Sequence, residues 1–127
     1  LHSLCAGASL HKLHHYCLRL LQQYGFENAD RTVFVARLIT SLDEFANRLK
    51  DLLQTKKKIM QHEIVLLQEM KSYLDVARQC LQKKDLQKLL LLLQDVKDVR
   101  LAIKHKIVKD CYDQLNAIIQ NIMEIIV

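Results

Sequence analysis

The sequence predicts an all-α fold, an antiparallel bundle of three to four long helices. Three observations lead there: the chain has no proline, only two glycines, and apolar residues that recur at helical spacing. Proline and glycine punctuate turns and helix ends, so a chain nearly without them turns seldom. Strands would need many turns and a period of two, and neither is found. Half of the 127 residues are apolar and 26% are charged, a globular composition of single-domain size.

The first helix is expected from about Ser9 to Tyr24. Leu10, Leu13, Cys17, Leu20, Leu21 and Tyr24 recur by threes and fours. Ser9 can cap its start and Gly25 can end it. The link Phe26–Asp30 is short, so the next helix should lie antiparallel beside the first. Asn28 or Asp30 can cap that second helix.

From Arg31 onward two columns with a seven-residue repeat run side by side. One is Leu38, Phe45, Leu52, Ile59, Leu66, Tyr73 and Cys80. The other is Ile39, Ala46, Leu53, Met60, Leu67, Leu74 and Leu81. The register survives the polar stretch Gln54–Lys58, as one helix from about 31 to 82 would require. Such a helix would be about 75 Å long. A third column, Val35, Leu42, Leu49, Lys56, Glu63, Met70 and Ala77, turns polar in its middle and predicts a thin waist at Lys56 and Glu63. A turn at Thr55–Lys58 would instead split the element into two helices of roughly 24 residues. Gln82–Asp85 is the next break, with Asp85 as N-cap. A last helix from Leu86 towards the C-terminus contains neither glycine nor proline and carries the stripe Leu89, Leu92, Val96, Val99, Ile103, Ile107, Cys111, Leu115, Ile118, Ile122 and Ile125.

Two architectures remain open: a four-helix bundle, or a long helical hairpin with a short packed N-terminal helix. No linker or internal repeat divides residues 1–127, which read as one helical bundle domain. The chain opens on Leu1, so a fragment of a larger protein is expected.

The same residues bear on function. No signal peptide or membrane span is legible; the longest apolar run is Leu89–Leu93. Cys5, Cys17, Cys80 and Cys111 show no metal-finger spacing and read as reduced thiols of a cytoplasmic protein. His11 and His15 share a face near His14, but no third ligand completes a metal site. Carboxylates fall on polar faces, no glycines cluster to cradle phosphate, and loops that could strain a nucleophile are scarce. No enzyme, cofactor or metal is expected.

Two features point to binding. Five consecutive leucines cover every side of a helix, and the isoleucines near the C-terminus do the same, so apolar surface should remain for a partner. Leu89, Leu92, Leu93, Ile118, Ile122 and Ile125 are the candidate contacts, for a partner's amphipathic helix in an apolar groove or for a second copy in a dimer. The expected function is therefore a scaffold or adaptor in signalling, trafficking or cytoskeletal assembly. The basic residues Lys56, Lys57, Lys58, Lys97, Arg100, Lys104, Lys106 and Lys109 are the second feature. Antiparallel pairing would gather them at mid-length, facing an anionic membrane surface or an acidic peptide. Nucleic acid fits less well, because the tyrosines are not interleaved with the lysines.

Overall fold

The computed structural model describes residues 7–24, 29–54 and 60–127, with the side chains of residues 29 and 53 outside the description. Among them are five helices and no strands, so the all-α bundle is observed. The helices are α1 (Gly7–Tyr24), α2 (Ala29–Gln54), α3 (Gln61–Lys83), α4 (Leu86–Leu101) and α5 (Lys106–Ile126).

The pairs α1–α2, α2–α5, α5–α3 and α3–α1 pack in a closed ring, and α4 lies outside it against α3 and α5. Helix directions follow from individual contacts. His14 of α1 faces Asp43 of α2 at 3.8 Å, while Arg31 stacks over Tyr24 at 5.8 Å, so α1 and α2 are antiparallel neighbours as the short link predicts. At the start of α2, Arg31 Nη1 donates to Ile125 O at 2.9 Å and Arg37 meets Glu124 at 3.6 Å. Further along, Asn121 donates to Ser41 Oγ, so α2 and α5 are antiparallel too. Tyr112 Oη donates to Leu66 O near the start of α3, which sets α3 parallel to α5.

Three sequence expectations need correction. The chain does not run as one helix from 31 to 82: it reverses direction between Gln54 and Gln61, and the expected turn at Thr55–Lys58 lies outside the described residues. The third column, read as a polar-centred waist, is the seam of the core. Val35, Leu42, Leu49, Met70 and Ala77 are buried on it, and so is Glu63, 2% exposed. The last helix also breaks, at Ala102–His105, without glycine or proline. Tertiary partners supply what local sequence does not: Glu63 Oε1 accepts the His105 backbone N–H at 3.3 Å, and His105 Nδ1 accepts the Ile107 N–H at 3.2 Å. The His105 N–H at the start of α5 is met by a residue 42 positions away, and the Ile107 N–H by His105 itself.

Smaller departures follow the same logic. Helix α1 begins at Gly7, so Ser9 lies inside it, buried, rather than capping it. Gly25 and Asn28 fall outside the described residues, and Asp30 sits in the first turn of α2. Asp85 caps α4 as expected, its Oδ1 accepting the Lys88 N–H at 3.1 Å. Ahead of it, Lys84 takes the left-handed conformation at φ 54°, where glycine is the usual occupant.

Candidate binding surfaces on α4 and α5

Helix α5 is the most enclosed element. Val108, Cys111, Tyr112, Leu115, Ile118, Ile119, Ile122 and Ile125 are all buried, because α2, α3 and α4 cover it from different sides. Ile118, Ile122 and Ile125, expected as partner contacts, are therefore core residues of this chain. Leu89 and Leu92 are buried as well, beneath α4, and Leu93 is half-buried against the core. The correction has a simple cause. A run of leucines around a helix must leave some of them outward, and packing rather than sequence selects which.

The outward ones are Leu90 and Leu91, 46% and 69% exposed. Helical spacing places Leu91, Gln94, Asp98 and Leu101 on one line along α4, opposite the buried Leu89, Leu92 and Val96. Leu101 is 78% exposed. Along this line opens a cleft of about 440 Å³ between α4 and α5, with Val96 and Tyr112 among its lining residues and Lys97, Asp98 and Asp113 at its polar walls. Arg100 closes one wall, its Nε donating to Asp113 Oδ1 at 2.8 Å and its Nη2 to Oδ2 at 3.3 Å. This fork raises the Arg100 pKa, the hydrogen bond to Asp113 contributing most. Gln94 Nε2 donates to Asp98 Oδ1 at 2.9 Å. The exposed-leucine signal was present in the sequence; the cleft was not, since it depends on how α4 lies over α5.

Tyr112 is fully buried; burial raises its pKa, reinforced by the neighbouring Tyr73 and Glu69. Tyr73 stacks on it edge to face at 6.3 Å and donates to Glu69 Oε2 at 3.2 Å. Burial first, and Glu69 second, push the Tyr73 phenol up to about 12.

The expected basic patch is dispersed. Lys97 stands at the cleft and Arg100 is paired, whereas Lys104 and Lys106 are exposed around the α4–α5 turn with Lys109 half-buried beyond. Lys56, Lys57 and Lys58 lie outside the described residues. The described members of the patch therefore belong to one end of the bundle and one flank, not to the middle of a hairpin. His62 and His105 lie at one level, joined through Glu63, whose Oε1 is 3.8 Å from His62 Nε2 and accepts the His105 N–H.

The histidines of α1 do not assemble a metal centre. His11 and His15 stack edge to face at 4.3 Å, and no group of three or more potential ligands converges among the described residues. Cys17 and Cys80 are buried free thiols, Cys111 is buried, and Cys5 lies outside the description. Burial pushes the Cys17 thiol up to about 12 and raises that of Cys80. No helix among the described residues is long and apolar enough to cross a membrane. No protein-family model, curated protein or solved structure matches the chain.

Proposed function

We propose that this chain is a non-catalytic protein-interaction module of the cytoplasm, a scaffold or adaptor that receives a partner's amphipathic helix. The partner lies along the outer line of α4 and sets an apolar residue into the cleft beside Tyr112. The observation that carries this reading is the exposure of Leu90 and Leu91, 46% and 69%, on a helix whose opposite face is already used for the core. A helix that is apolar on two sides is ordinarily covered on both. The cleft beside it supplies a pocket for one anchoring side chain within a polar rim, the arrangement of energetic centres in interfaces.

The thiols support a binding rather than a catalytic role: held protonated by burial, Cys17 and Cys80 are poor nucleophiles. The buried unpaired thiols of Cys17 and Cys80 also suit a reducing compartment.

Affinity capture from cytosol with the native chain and with Leu91→Asp tests the reading. The expected result is a protein retained by the native chain, cross-linked to the outer face of α4, and lost with Leu91→Asp. A self-association seen by light scattering and abolished by the same substitution would make the partner a second copy. Identical retention by both chains, or cross-links elsewhere, would refute docking on α4.

A further inference from the structure

Where the outer line of α4 ends at Leu101, apolar tips meet cations that no ion pair among the described residues neutralises. Met60, the N-cap of α3, is 59% exposed, and Leu101, at the close of α4, is 78% exposed. Both stand towards the end of the bundle where α3 and α5 begin. Glu63, at the start of α3, accepts the N–H of His105, which caps α5. Met60 lies three residues before Glu63 and Leu101 four before His105. Lys104 and Lys106 flank His105 and are exposed.

The acids near this end are largely committed elsewhere. Glu63 is buried, Asp113 is held by Arg100, Asp98 accepts from Gln94, and Asp51 faces Arg48 at 3.6 Å. Asp110 is half-buried and offsets one charge. None of the ion pairs among the described residues involves Lys104 or Lys106. The surface is thus locally positive.

We propose that this end of the bundle docks on an anionic membrane surface, with Lys104 and Lys106 against lipid phosphates and carboxylates and with Leu101 and Met60 entering the interfacial layer. The mixture of side chains decides among anionic partners. An acidic peptide would neutralise the lysines and leave both aliphatic tips in water. A nucleic acid would want aromatic stacking platforms, and none stands among these residues. A bilayer interface satisfies cation and aliphatic tip together, at a depth of about 5–10 Å. This surface shares Leu101 with the outer line of α4, whereas Met60, Lys104 and Lys106 lie outside it.

Vesicle sedimentation tests it. The native chain should bind vesicles of phosphatidylcholine containing about 30 mol% phosphatidylserine, should not bind phosphatidylcholine alone, and should dissociate at high salt. Lys104→Glu with Lys106→Glu should weaken binding by about 25-fold or more, five-fold for each lysine lost. If that pair fails to fold, Lys104→Gln with Lys106→Gln reads the same loss without added repulsion. The chain has no tryptophan, so Leu101→Trp gives a background-free signal. Its emission should shift to the blue on anionic vesicles and stay unchanged with neutral ones. Leu91→Asp should leave vesicle binding intact, which separates this surface from the helix-docking face. Equal binding to neutral vesicles, no binding at all, indifference to the lysine substitutions, or capture by polyglutamate in place of vesicles would overturn the proposal.

Discussion

Glu63 concentrates the residue-scale physics of this chain. A carboxylate is rarely buried without a reason, since leaving water costs it heavily. Here one oxygen meets the first free N–H of α5, where the helix dipole also favours a negative charge. Its other oxygen is buried and lacks a hydrogen-bond partner among the described residues, as does Nε2 of His105. Glu63→Ala would strand the His105 N–H and should destabilise the fold by about 1–3 kcal/mol. Glu63→Gln keeps an acceptor and should change stability by less than about 1 kcal/mol. Urea denaturation of both variants checks this; equal effects would mean that the acceptor at His105 is not what holds the junction. In sequence, Glu63 looks like a solvated acid in a polar stretch. Its role was illegible because it depends on a backbone amide 42 residues away.

At the scale of elements, α4 is the informative helix. Its inner stripe, Leu89, Leu92 and Val96, was legible as a helical period and is buried, whereas the exposed leucines on its outer side were not tied to any neighbour by the sequence. Leu89→Ala, at a fully buried position, should cost about 2–5 kcal/mol. Leu91→Ala, 69% exposed, should stay within about 0.5 kcal/mol. Thermal or urea unfolding of the two variants measures the difference, and a reversed order would mean that α4 is rotated. The helix boundaries divide the same way. Asp85 was readable as a cap because capping is a local bond, to Lys88 N–H three residues on. The break at Ala102–His105 was not readable, because its hydrogen bonds come partly from α3.

For the molecule as a whole, burial of weak acids predicts how the fold responds to alkali. The Cys17 thiol moves from 9.0 to about 12 and the Tyr73 phenol from 10.0 to about 12, each raised chiefly by burial. A group whose folded pKa lies above its unfolded one binds its proton more tightly in the folded state. The stability it contributes is complete below the unfolded value and is lost as pH rises towards the folded one. Denaturation midpoints should therefore be unaffected by these groups below 9.0 and should fall between 9.0 and about 12. Cys17→Ala should flatten the lower part of that decline once its own packing cost is subtracted. A flat profile in native protein would contradict the burial of both groups.

The sequence by itself determined that this chain is helical, that α1 and α2 are antiparallel neighbours, and that α4 starts at Asp85. Each rests on a period or a contact within a few residues, where the chain's own covalent spacing brings the groups together. Only the tertiary structure decided that α2 and α3 are separate helices of opposite direction and that α5 is the enclosed one. A seven-residue repeat records which positions are apolar, not which other helix covers them, and it continues unchanged across a reversal of the chain. Core and surface are relations between distant segments, so they were fixed only when the five helices packed.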